Sequence, residues 1–149
     1  MENSQICTLA ENILHVRAGG RVERYHTVPH SPYSVAAHSW ASALLLYQLW
    51  PDEFPKLAIH MLVHDVPEVW VGDIPAPIKR HISGVVHVLE PLEREICQLL
   101  RVPDDSELTD SEKLKMKICD ILEFYLWCRE EMSRGNEFVA NGLDEIKKY

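Results

Sequence analysis

The 149 residues carry 15 Lys plus Arg against 23 Asp plus Glu, a formal charge of −8, with 46% hydrophobic and 26% charged residues. This composition excludes a disordered or fibrous chain, and the acidic balance argues against a nucleic-acid polymer as partner while leaving room for one small phosphorylated ligand at a local basic patch. No apolar run is long enough to cross a bilayer, and Glu2 and Glu11 stand where a secretory signal carries positive charge before an apolar block, so one cytoplasmic domain over 1–149 with no membrane partner is expected.

From Ile6 to Val16 the apolar residues Ile6, Leu9, Ala10, Ile13 and Leu14 recur at helical spacing, and Gly19-Gly20 supplies a stop. His15 closes this first helix, where a cation favours the C-terminal dipole. Arg21 to Ser34, with Pro29, Pro32, Arg24, Tyr25, His26 and His30, has no sustained period and reads as a long loop, a common seat of function. Ser34 is the N-cap of a second helix running to about Trp50, before Pro51. A third helix runs from about Pro55 to His64-Asp65. The prolines at 67, 75 and 77 then rule out a continuous helix.

A further helix spans roughly Ser83 to Arg101, bent near Pro91, with Val85, Val88, Leu89, Leu92, Ile96 and Leu99 on its apolar face. Thr109 and Glu112 have capping-box spacing and open a long helix carrying Leu114, Ile118, Ile121, Leu122, Tyr125 and Leu126, ended by Gly135. A last short helix covers about Glu137 to Lys148. Nothing alternates with period two, so the fold class is all-α, a single-domain helical bundle. Cys7, Cys97, Cys119 and Cys128 form no CxxC pair and read as reduced thiols.

Three polar features sit where helices ordinarily place apolar residues. Asp120 lies deep in the long helix with Met116, Phe124 and Trp127 at neighbour spacing, and an unpaired buried carboxylate costs several kcal/mol. A facing cation would resolve this; so would exposure, or a pair with Lys117. His38 sits among Val35, Ala36, Trp40 and Ala41, where a hydrogen-bonded core histidine is the ordinary reading. The side chains of His64 and Asp65 diverge by about 100° on a helix, so they share one ion only at the end of a packed helix. Together these four make an N2O2 set suited to zinc, manganese, cobalt or iron rather than calcium. Spacing alone does not bring them together. His60 and His64 lack the Glu of a zinc-protease helix, and His26, His30, His81 and His87 read as loop or surface residues.

The order His38, His64-Asp65, Asp120 resembles the metal-binding pattern of the HD-domain phosphohydrolase superfamily. The segments Gly20-Arg21-Val22-Glu23-Arg24-Tyr25-His26-Thr27-Val28, Val35-Ala36-Ala37-His38-Ser39-Trp40, His64-Asp65-Val66-Pro67-Glu68 and Gly72-Asp73-Ile74-Pro75-Ala76-Pro77-Ile78-Lys79 are similar to its YfbR-like 5′-deoxynucleotidase branch, and to short phage-encoded dATP triphosphohydrolases. The resemblance covers about residues 5 to 136 and implies an HD-domain helical bundle.

It further implies that His38, His64, Asp65 and Asp120 hold one catalytic divalent ion, Zn, Co or Mn, with Mg accompanying a triphosphate. Glu68 and Asp73 become the candidates for aligning water and moving protons. Arg24 and Tyr25 are implied for phosphate and for base or sugar, Pro77 for shaping the nucleoside pocket and Lys79 for a phosphate. One departure is plain: the branch carries an acidic residue just before the first metal histidine, where this chain has Ala37.

The activity implied is hydrolysis of a deoxynucleotide, with dATP triphosphohydrolysis as the first reading. The chain ends soon after its long helix, and Arg24, Lys79, Arg80 and Arg17 offer surplus positive charge. The alternative is a 5′-deoxynucleotidase acting on monophosphates. A helical module keeping only a structural metal, and an enzyme of cyclic dinucleotides or guanosine tetraphosphate, fit Glu68, Asp73 and the Gly72–Lys79 segment less well. A pocket in so small a chain is often completed by a second subunit, so a homo-oligomer is expected, with apolar surface on the Ser83–Arg101 helix available for it.

Overall fold

The computed structural model describes residues 3–82 and 84–146, with the side chains of all but 3–7, 76, 77, 80 and 145. Helix α1 (Asn3–Gly19) runs past His15 to Gly19, so Arg17 rather than His15 occupies its last turn. His15 instead packs edge-on against Trp70, with ring centroids 5.4 Å apart. The loop that follows is held by one isolated antiparallel bridge, Glu23 with Ser34. Ser34 then caps α2 (Val35–Leu49), its side chain accepting from the Ala37 amide.

Helix α3 (Phe54–Val63) has a proline in its first turn and stops at His64. The proline-broken stretch contains two short helices that periodicity does not resolve, α4 (Glu68–Val71) and α5 (Ala76–His81). Helix α6 (Val85–Leu100) keeps Pro91 inside it; Ser83, expected at its start, lies outside the described residues. Helix α7 (Asp110–Ser133) opens on the full capping box of Thr109 and Glu112. Gly135, at φ 87°, turns the chain out of it in the left-handed region that glycine enters freely. A 3-10 turn (Glu137–Val139) leads into α8 (Ala140–Ile146). Lys148, the expected end of this last helix, is outside the described residues.

Among the described residues there is no strand, and the all-α reading holds. Helices α2, α3 and α7 enclose the central core, where Leu46, Leu57, Met61 and Cys119 are wholly buried. A second cluster joins Tyr33 from the loop to Trp127, Cys128 and Val139. A third sets Ile96 and Leu100 of α6 against Val63 and Val66. This corrects the face assigned to α6: its buried stripe is Leu89, Ile96, Cys97 and Leu100, whereas Val88 is 67% and Leu99 57% exposed, and Leu92 is exposed too. Periodicity shows a stripe wider than the contact α6 actually makes. No helix of the described residues is long and apolar enough to cross a membrane.

Candidate functional site

Three of the packed helices deliver the polar residues that the core does not want. His38, on the second turn of α2, is fully buried. His64 caps the end of α3, and its Nδ1–H donates to the Met61 carbonyl at 2.8 Å, which turns Nε2 inward. Asp65 follows immediately, so both side chains reach one point because the helix has ended, as the divergence of consecutive helical residues demands. Asp120 comes from the middle of α7.

Asp65 Oδ2 lies 3.2 Å from His64 Nε2 and 3.7 Å from His38 Nε2, and Asp120 Oδ1 lies 3.1 Å from His38 Nε2. Ligand atoms of His38, His64 and Asp65 all fall within 4.8 Å of one another. Both Nε2 atoms are buried without a hydrogen-bond partner. Orphaned imidazole nitrogens facing carboxylate oxygens are the donor set of a borderline dication such as zinc, cobalt or manganese, so the four residues fit the ion implied for them.

Burial opposes ionisation of both aspartates, yet His64 and Arg24 hold Asp65 well below the usual carboxylate range, and His38 and Lys117 do the same for Asp120. Burial pulls His64 down, but Asp65 beside it lifts the imidazole to about 9. Arg24 is the cation reaching into this cluster: its guanidinium contacts Asp65 and lies 3.9 Å from Glu68 Oε1 and 3.8 Å from Asp120 Oδ1. Asp120 also accepts from Lys117 at 2.7 Å, so the two readings of this aspartate, cluster member and surface ion pair, hold at once.

Glu68 begins α4 and is buried, with Oε2 lacking any partner. Burial, aided by the charge of Asp65 and opposed by Arg24, pushes its carboxyl up to about 9. Burial beside Asp65 thus favours the protonated form of this carboxyl, the form that can give a proton. Asp73 is engaged differently, accepting from the Tyr25 amide at 2.8 Å. That bond holds Tyr25 at φ 54°, a left-handed conformation costing a non-glycine residue about 1–2 kcal/mol. The Tyr25 ring packs against Phe124 and Trp127, with centroids 5.3 and 5.7 Å away. A Cβ on Gly142 of α8 would come within 3.1 Å of the Tyr25 hydroxyl, so that glycine is needed for the close approach.

A cavity of about 1080 Å³ opens from this cluster, lined by Arg24, Tyr25, Glu68, Asp73, Lys79 and Asp120 among others. It is as large as ligand pockets ordinarily become, about 300–1,000 Å³. Pro77 lies in α5, its side chain outside the described residues, as is that of Arg80. Arg17 does not line the cavity; Arg94 and Lys113, which sequence reading passed over, do, and so does Lys117, expected only as a partner for Asp120. Ala37 is exposed on α2, so an acidic side chain there would sit away from buried His38. Also missed were Tyr33 and Glu123, buried against the far side of His38.

Residues 20–146 match the HD domain family, nearly the whole of the described chain and all of the cluster. The chain belongs to the HD-domain family. Its relatives include the 5′-deoxynucleotidase of Cronobacter sakazakii (strain ATCC BAA-894), 34% identical with 62% of this chain and 53% of the relative covered. The 5′-deoxynucleotidase of Yersinia pestis (strain Pestoides F) is 34% identical, with 56% of this chain and 50% of the relative covered. The HD-domain chain thus spans about half the length of the curated relatives it matches. Among solved structures it is similar to the cyanophage S-2L HD phosphohydrolase DatZ bound to dA and one catalytic Zn2+ ion, with a TM-score of 0.65, 21% identity, and 77% of this chain and 69% of that chain covered. That likeness establishes the shared fold.

Proposed function

We propose that this HD-domain protein is a metal-dependent phosphohydrolase of deoxynucleotides, cutting dATP, and other deoxynucleoside triphosphates, into deoxynucleoside and inorganic triphosphate. The observation that carries this reading is the convergence of His38, His64, Asp65 and Asp120 beside a buried Glu68 at the wall of a nucleotide-sized cavity. The four residues would hold one Zn, Co or Mn ion, with Mg accompanying the triphosphate. When bound, the ion supplies Lewis acidity and lowers the pKa of the attacking water towards ~7.

The remaining work falls to the chain's own side chains. Arg24 neutralises charge on the phosphoryl oxygens, where a guanidinium can make paired hydrogen bonds. Glu68 delivers its proton to the 5′ oxygen as the bond to phosphorus breaks. Asp73 holds Tyr25 by its backbone, and the ring, propped on Phe124, offers a face to the base or sugar. Lys79, on the cavity wall, reaches a phosphate.

Triphosphate is favoured over monophosphate because Lys79, Arg94, Lys113 and Lys117 line the same cavity beyond Arg24. The 5′-deoxynucleotidase reading draws on a different observation. Lys79 Nζ lies 3.9 Å from Glu93 and Lys113 Nζ 3.6 Å from Asp105, so part of that positive charge already faces a carboxylate. The deciding assay offers purified protein with Zn, Co or Mn the four deoxynucleoside triphosphates and monophosphates and reads both products. Deoxyadenosine plus triphosphate from dATP supports the first reading; hydrolysis of dAMP with dATP untouched gives the second; no turnover of any sinks both.

A cytoplasmic homo-oligomer belongs to the same proposal. Exposed Val88 and Leu99 on α6 and Ile13 and Leu14 on α1 are the apolar groups it would cover. A solution mass measurement finding only a 17.2 kDa species would refute it.

A further inference from the structure

His38 is the one cluster imidazole whose two nitrogens both meet carboxylates from the same helix. On one side Asp120 Oδ1 lies 3.1 Å from Nε2; on the other, Glu123 Oε2 contacts Nδ1. Asp120 and Glu123 are three positions apart, so both project from one face of α7. The Tyr33 hydroxyl donates to the same Glu123 oxygen at 2.5 Å and lies 3.1 Å from His38 Nδ1. Tyr33 is 2% exposed, Glu123 8% and His38 0%. The Tyr33 ring is stacked on Trp127, with centroids 4.2 Å apart and planes 10° from parallel.

Such a network is costly to bury and is stable only when every member is satisfied. An apolar residue at 123 would leave the buried Tyr33 hydroxyl and His38 Nδ1 without the acceptor they share. A buried carboxylate against an imidazole does have one specific consequence. It takes the Nδ1 proton as a hydrogen bond and leaves Nε2 as the lone-pair nitrogen, in a fixed ring orientation.

We propose that Glu123, steadied by the Tyr33 hydroxyl, is the positioning residue of the metal site, holding His38 in the Nδ1–H tautomer with Nε2 turned to the ion. His64 reaches the same state by a backbone route, through the Met61 carbonyl. The two imidazoles are thus oriented by different means, and only that of His38 can be removed by substitution of a side chain. Tyr33 extends the device to the substrate side: its carbonyl accepts from the Arg24 amide at 2.8 Å, and the Arg24 guanidinium lies 5.8 Å from its ring centre.

The proposal rests on the metal-site reading, and the experiment separates the two. Zinc affinity by competition titration, and the ¹⁵N shifts of His38 in the zinc-loaded protein, are measured for wild type, Y33F, E123Q and E123A, with folding checked by circular dichroism. Wild type should show a protonated Nδ1 and a zinc-bound Nε2. E123A should lose that preference and bind zinc about 10- to 100-fold more weakly, the usual effect of removing a ligand's outer partner. E123Q, whose amide oxygen still accepts from Nδ1–H, should keep the tautomer and lose less affinity, and Y33F least. Should E123A not fold, the isosteric E123Q and Y33F carry the test. A wild-type protein that takes up no zinc overturns the metal site and this proposal with it. A wild-type protein that binds zinc, with folded Glu123 variants matching it in affinity and tautomer, overturns Glu123 alone.

Discussion

The cluster His38, His64, Asp65 and Asp120 and the arm carrying Arg24, Tyr25 and Asp73 lie side by side but are built on opposite principles. The cluster's residues come from helices or a helix end whose packing around Leu46, Leu57 and Met61 sets their positions regardless of what they bind. The arm is irregular backbone, fixed by one β-bridge, by the Tyr25 amide on Asp73 and by Arg24 on Asp65. Helix packing pre-organises a charge-dense site cheaply, because the core supplies the energy. A loop must be fastened by polar contacts, and here the cluster itself supplies a main fastening. Asp65 therefore serves both regions.

Substitution of that shared residue should have the largest effect. Asp65→Asn leaves Arg24 and the histidines without their common counter-charge. Breaking a buried charged set costs roughly 3–5 kcal/mol, about 10²- to 10⁴-fold if expressed in metal affinity. Turnover should fall below detection, and zinc titration alongside activity checks it. A variant keeping both would mean that the cluster does not depend on Asp65.

Glu68→Gln is expected to split the regions from the chemistry. Metal content should stay at the wild-type level while kcat falls about 10²- to 10⁴-fold, the range of a lost general acid. The same residue has a signature in the metal-free protein. The folded pKa of Glu68 lies at about 9, above its ordinary 4.5, and that of His64 at about 9, above 6.5. Between those values the folded state holds protons that the unfolded state has released, so stability falls as pH rises. The melting temperature of the metal-free protein should decline from pH 6.5 to 9, and E68Q should decline less.

Arg24→Met bears on the boundary itself. Arg24 is the arm's cation among the cluster's oxygens, so its removal should leave zinc affinity unchanged or tighter. Substrate should suffer instead: KM should rise about 10- to 100-fold, the 1.5–3 kcal/mol of a hydrogen bond to a charged group. Loss of zinc from R24M would show that the arm builds the cluster rather than borrowing from it.

How much of this was legible follows the same division. The caps at Ser34 and Thr109 are local chemistry, and both form. The HD-type ligands are readable because their order and flanking residues resemble a known pattern, although no spacing rule could bring α2, α3 and α7 together. Glu123 was invisible because a glutamate on a long helix is ordinary until Tyr33 and His38 arrive from far along the chain. The left-handed turn at Tyr25 left no trace, since tyrosine is not a residue that announces positive φ. On α6 the apolar repeat overstated the buried face: Leu89, Ile96, Cys97 and Leu100 are covered, whereas Val88, Leu92 and Leu99 are exposed. Arg94, Lys113 and Lys117 reach the cavity through tertiary approach alone.

Ser34→Ala should produce the smallest change and the finest separation. Ser34 sits where the arm becomes α2: its backbone forms the bridge to Glu23, and its side chain caps the helix bearing His38. The capping bond from the Ala37 amide is 3.3 Å long and exposed, which places its loss at the low end of the N-cap range, about 0.5–1 kcal/mol. The bridge uses backbone atoms only and survives the substitution. Melting temperature should drop by a few degrees, while zinc affinity and KM stay within about twofold of wild type. His38 is held from α7 by Glu123 and Asp120, not from the start of its own helix, so fraying of that first turn should not reach the ion. A tenfold loss of zinc affinity in S34A would mean that the cap, rather than the packing of α2 on α7, fixes His38, and the division between helix-built cluster and fastened arm would fail at its junction.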